Sequence, residues 1–222
     1  MERALSGVGT VSHVADTQQR RRSSSSSNDR PVPARARERL LAGLATAIEE
    51  KGYRETTLAD IVRLAKVSRR VFYQVFDTKD DALFALVEQV DAELVDALRA
   101  GINSRSHWET QVVQSIDVYF ASILSHPGFY LCVIRELPYL GAQAAPVVRR
   151  GTETLVELIG QLTDNAAFRR AAHPPTERRL ALMIVGALNE LVADMLETRG
   201  DEASYRRLAV AGTTALLSTS HD

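Results

Sequence analysis

The side chains with the richest hydrogen-bonding chemistry stand close together: Arg69, Arg70, Tyr73 and Gln74. On a helix, at about 100° per residue, these four fall in one arc. Phe72, Val75 and Phe76 fall in the opposite arc, with Val71 on the edge. A guanidinium can offer two donors to guanine O6 and N7, and a glutamine amide can pair with adenine N6 and N7. Tyr73 and Lys79 suit phosphate oxygens, which fix register without reading sequence. Val71 can touch a thymine methyl. The competing reading is a basic helix face turned to water.

These side chains need a frame, and the flanking residues supply one. Thr57 and Asp60 form a capping-box pattern that opens a first helix, whose buried face is Ile61, Leu64 and Ala65. Lys66-Val67 is a turn, and Ser68 is an N-cap for the helix bearing the arginines. Thr78 and Asp81 repeat the capping box and open the next helix. Two capped helices, a short turn and an aromatic inner arc are what a helix needs to sit on a core and face a DNA groove. The candidate DNA contacts are Thr57, Ser68, Arg69, Arg70, Val71, Tyr73, Gln74 and Lys79. A preceding helix over 34–51 buries Leu41, Leu44, Ala45 and Ile48 and stops at Gly52. A following helix over 79–100 is long enough to belong to two units.

Across Gly52-Tyr53, Thr56-Thr57, Phe76 and Lys79 the chain resembles the TetR family of bacterial transcriptional regulators. It departs at Lys66, where the family usually has glycine, and at Arg70 and Val71, which replace a small residue and a threonine. A non-glycine can take a left-handed turn at modest cost, so the docking mode stands. The resemblance implies a ligand-responsive regulator, most often a repressor, that binds a palindromic operator in double-stranded DNA as a homodimer.

Charge follows the same division. The net charge of −1 conceals +2 over residues 1–34, +4 over 35–79 and −7 over 80–222. A basic front on an acidic body suits a DNA reader joined to a domain with another task. Residues 1–33, with three consecutive arginines, a run of five serines and two prolines, read as a disordered arm. It either brushes DNA through its arginines or is an unselective tail. Residues 34–79 read as the helix-turn-helix domain and 80–222 as a ligand-binding and dimerisation domain. The fold class is therefore all-α, a three-helix head on a helical bundle. Its body helices are expected at about 106–125, 128–136, 142–164, 175–198 and 202–218.

The last two helices carry broad apolar faces: Met183, Ala187, Leu191 and Met195 on one, Leu208, Ala211 and Ala215 on the other. Periodicity fits either core packing or an interface; the resemblance implies a four-helix interface with a second copy. A small-molecule pocket in the body would draw on its aromatics, Trp108, Tyr119, Phe120, Phe129, Tyr130 and Tyr139, with Met183, and would suit an apolar or aromatic effector. Core packing competes for each. No phosphate-loop, nucleophile-elbow or dinucleotide glycine pattern is present, and the five histidines lack metal-ligand spacing. The expectation is no enzymatic activity, no cofactor and no metal. The single cysteine, Cys132, fits a reducing compartment. With no apolar run of spanning length and no secretory signal, the expected place is the cytoplasm, with no membrane partner. A helical ligand-sequestering or protein-interaction module without DNA binding is the alternative.

Overall fold

The computed structural model describes residues 32–219, and among them every regular element is helical. The head comprises α1 (Val32–Glu55), α2 (Leu58–Ala65) and α3 (Arg69–Tyr73). The body comprises α4 (Lys79–Gly101), α5 (Trp108–Ser125), α6 (Pro127–Arg135), a 3₁₀ turn (Leu137–Tyr139), α7 (Ala144–Thr163), α8 (Ala166–Arg170), α9 (Arg178–Thr198) and α10 (Glu202–Ser218). Residues 1–31 of the expected arm lie outside the described residues, and the first helix already runs at Val32. Gly52, at φ 79°, breaks α1 before its last short turn. That is the left-handed region, where glycine carries no Cβ penalty.

Each junction has a local cause. Thr57 and Thr78 are N-caps with complete capping boxes to Asp60 and Asp81. Pro127 opens α6 at a position whose missing N–H has no helical partner in any case. The expected start at residue 175 moves to 178, because the buried Thr176 amide donates to Thr163 Oγ1 at 2.9 Å and holds this stretch extended against α7. The short α8 is not among the expected helices; Asn165 caps it by accepting from the Ala167 and Phe168 amides.

The larger of two apolar clusters runs from head to body. Leu40, Leu44, Ile48, Ile61 and Phe72 pack with Leu83 of α4, and the cluster continues through Phe120, Phe129 and Val192. α1 lies against α2 and α6; α4 lies against α5 and α7; α9 lies against α7, α10 and α6. The α1–α2 crossing is close because Gly43 allows it. A Cβ there would come within 2.9 Å of Ala65 N and Ile61 O. Among the described residues no single helix is long and apolar enough to cross a membrane.

Candidate nucleic-acid interface and effector cavity

The turn before α3 is a Schellman arrangement. Lys66 takes the left-handed conformation at φ 52°, its amide donates to Arg63 O at 3.2 Å, and the Val67 amide donates to Val62 O at 3.0 Å. Arg39 of α1 donates to Lys66 O at 2.6 Å and so ties the first helix to the turn. The cost of a side chain in this conformation is offset by that tether. Ser68 then caps α3, accepting from the Val71 amide at 3.3 Å.

α3 is shorter than the expected 69–76, but the bonds of Val75 and Phe76 to Phe72 O, both 2.9 Å, carry its path through the whole arc. Phe72 and Phe76 are buried with ring centroids 5.8 Å apart, and the Arg37 guanidinium lies 5.9 Å above the Phe76 ring. Arg69, Arg70 and Gln74 are exposed, Tyr73 is 59% exposed, and Val71 is half-buried at the rim. Ser68 and Thr57 are also at the surface, but both hydroxyls are engaged in caps.

Lys79 is a correction. Its Nζ donates to Tyr53 O at 3.0 Å and Thr56 O at 2.9 Å, and it sits 4.0 Å from the centroid of the Tyr53 ring. Burial lowers its pKa against the opposing pull of Asp80. The ammonium is thus a clasp closing the end of α1 onto α4 rather than a free phosphate ligand. Tyr53 completes the clasp by donating to Asp80, and burial together with that bond raises its phenol pKa. Asp60 is held well below the usual carboxylate range by hydrogen bonds from Lys51 and Thr57.

The head meets the body through Glu49 as well. Its carboxylate accepts from the Gly128 amide at 3.0 Å and the Phe129 amide at 2.9 Å, so a head residue caps α6, whose own N-cap His126 makes no side-chain bond. A Cβ at Gly128 would lie 2.9 Å from Glu49 Oε2. At the other end of α6, Arg135 makes two-pronged bonds to Glu190 and Glu197 of α9, at 2.8–3.0 Å. Nothing local in the sequence signals either joint.

The body holds an apolar cavity of about 100 Å³ among α4, α5, α7, α9 and α10. Its walls are mostly aliphatic, including Leu98, Leu155, Leu158, Leu162, Ile184 and Leu188. Of the seven side chains expected to line a pocket, only Tyr119 does. Trp108 stacks on His173 with centroids 4.3 Å apart, Phe120, Phe129 and Tyr130 fill solid core, and Tyr139 is 81% exposed on the 3₁₀ turn. Large rings occupy the space they pack into, so the void is left among aliphatic stems. Met183 is 59% exposed on the outer face of α9, away from the cavity.

That outer face is apolar and open. Met183, Ala187, Leu208, Ala211 and Ala215 are exposed, and Leu191 is half-buried beside them. Met195 is 3% exposed and turned into the core. Twelve residues beyond Met183, it has rotated about 120° around the helix.

Residues 40–86 match the sequence pattern of bacterial regulatory proteins, tetR family. Over that stretch the chain is similar to the TetR family. The matched stretch runs from α1 to α4 and includes the whole turn and its arginine-bearing helix. Among curated relatives, an HTH-type transcriptional regulator, HbdR of Aromatoleum sp. (strain CIB), is 25% identical over 152 residues, spanning 67% of this chain and 65% of that protein. The chain thus covers just under two thirds of that relative. Solved structures share the fold at lower identity. The fatty acid degradation regulator FadR of Bacillus halodurans superposes with a TM-score of 0.68 at 18% identity, over 84% of this chain and 96% of that one. FadR of Bacillus subtilis in complex with stearoyl-CoA gives 0.68 at 15% identity, over 83% and 99%. The shared fold therefore extends well beyond the matched head, as a helix-turn-helix region on a C-terminal helical body.

Proposed function

We propose that this TetR-family protein is a dimeric repressor that reads a palindromic operator through α3 and leaves it when a small apolar effector enters the body cavity. The observation that carries this reading is the two-sided α3. Phe72 and Phe76 seat it on the core while Arg69, Arg70, Tyr73 and Gln74 face outward. One short helix reads little sequence alone, so a two-fold partner is needed. Heads about 34–36 Å apart would enter successive major grooves. The open apolar face of α9 and α10 is the natural surface for that pairing.

In this reading α6 is the strut between effector and DNA. α9 presents Ile184, Leu188 and Asn189 to the cavity and, one residue later, Glu190 to Arg135. A displacement of α9 would pass through Arg135 along α6 to the Glu49 joint and so to α1. Because the half-sites are fixed in DNA, a change in head spacing lowers affinity, and linkage makes the effect reciprocal.

The test is fluorescence anisotropy with a labelled duplex selected by the protein from a random pool. Arg70→Ala and Gln74→Ala should each relax preference at one position per half-site, by about 1–3 kcal/mol. Tyr73→Phe should weaken binding to all duplexes alike. Unchanged discrimination in both Arg70→Ala and Gln74→Ala would refute the groove assignment.

A further inference from the structure

The cavity wall contains no Asp, Glu, Lys, Arg or His. Its polar side chains are Gln111, Ser115, Tyr119, Thr163, Asn189 and Thr213. Most are already engaged. The Gln111 amide donates to Ser104 O and Ser106 O and accepts from Asn165 Nδ2 at 2.9 Å. Ser115 Oγ donates to Gln111 O at 2.8 Å. Thr163 Oγ1 donates to Ile159 O and accepts from the Thr176 amide, both at 2.9 Å.

Asn189 differs. Its Oδ1 accepts from the Tyr119 hydroxyl at 2.9 Å, while its Nδ2 donates to no group among the described residues. The hydroxyl therefore orients the amide and leaves its donor end available to the cavity. Burial raises the Tyr119 pKa, so the phenol keeps the proton that makes this bond.

Two physical consequences follow. A charged group brought into this wall would lose its hydration with no opposite charge to meet it, which is prohibitive in an apolar site. An acceptor oxygen, by contrast, would find an oriented N–H. The volume of about 100 Å³ sets the scale: it is below the roughly 150 Å³ of an apolar cavity that admits benzene, so one ring is the upper bound and enters only as the wall gives way.

We infer that the cavity takes an uncharged ligand of at most one ring, with an apolar body and one carbonyl-type acceptor hydrogen-bonded to Asn189 Nδ2, Tyr119 serving as the positioning residue. This rests on reading the cavity as the effector site and specifies what that effector must be. Free carboxylates and amines are excluded; a ketone, ester or lactone fits.

Isothermal titration of the full chain in the absence of DNA, at pH 7.5, tests it with acetophenone, ethylbenzene and benzoate. Acetophenone should bind about 3–10-fold more tightly than ethylbenzene, the increment of one neutral hydrogen bond. Benzoate should give no heat at concentrations that saturate acetophenone. Asn189→Leu and Tyr119→Phe should bring acetophenone to the ethylbenzene level and leave ethylbenzene within twofold of the parent. A purely packing role for either residue would instead change both ligands together. Tyr119→Phe keeps the decision open if Asn189→Leu loses its helical circular dichroism. Equal binding of benzoate, no preference for acetophenone over ethylbenzene, or no binding of acetophenone overturns the inference. Failure of the DNA assay with this ligand profile intact would overturn the regulatory reading alone.

Discussion

Replacing Asp91 with asparagine should stabilise the protein at neutral pH, and the size of the effect can be worked from its surroundings. Asp91 lies on α4 facing α7, where a Cβ at Gly151 would come within 2.7 Å of its Oδ2. Glu88 stands one turn away, paired with Arg150 of α7 at 2.5 Å, and Tyr130 of α6 feels the Asp91 charge. Burial, with a smaller push from Glu88, raises the carboxyl pKa from 3.8 to about 6. The folded state therefore holds this proton more tightly than the unfolded chain. This contribution is most favourable below the unfolded value of 3.8 and is lost as pH rises through about 6. Above that, ionised Asp91 costs the fold about 3 kcal/mol, so Asp91→Asn should raise Tm at pH 7.5 by about 6–12 °C for a domain of this size. Differential scanning fluorimetry from pH 4 to 8 is the assay. The two proteins should converge near pH 4 and separate toward pH 7, and the difference curve cancels the other carboxylates. Parallel pH profiles, or a variant less stable than the parent at pH 7.5, would refute the assignment of a half-buried carboxylate with a raised pKa.

Gly43→Val forces a side chain into the α1–α2 contact and should cost about 1–3 kcal/mol by overpacking; an unchanged thermal midpoint would mean the crossing is looser than described. Glu49→Ala removes the shared acceptor of two α6 amides and should cost about 1 kcal/mol, with faster hydrogen exchange at Gly128 and Phe129 as its local signature. Lys79→Met leaves Tyr53 O and Thr56 O without their ammonium, so the head should lose about 1–3 kcal/mol of stability. Its DNA salt slope should stay the same, whereas loss of a phosphate contact would lower that slope by about 1.

What the sequence revealed and what it hid divide along physical range. Ser68, the Thr57–Asp60 and Thr78–Asp81 boxes and the Phe72–Phe76 seat act within a few residues, so the head could be traced from types and spacing alone. The role of Lys79 is not legible locally, because its partners, the Tyr53 and Thr56 carbonyls, are backbone groups more than twenty positions earlier. The Glu49 cap spans 79 positions to Gly128 and leaves no local pattern. Gly43, within α1, reads only as a weak helix former until α2 is seen lying on it. Aromatic content does not locate the cavity, because a void is a property of what packing leaves unfilled, and the aliphatic runs of α7 and α9 border it. The inward turn of Met195 shows that a stripe wider than one contact surface cannot serve a single neighbour along its whole length.

The Glu49 carboxylate on the α6 amides also bears on how such proteins can be recombined. On the proposed reading, a foreign head joined to this body at the start of α4 and lacking that acid would bind its operator yet be deaf to the effector. Restoring one carboxylate at the equivalent turn of the donor helix, opposite a residue with no Cβ, is the minimal repair, and it makes Glu49 and Gly128 a matched pair to be moved together.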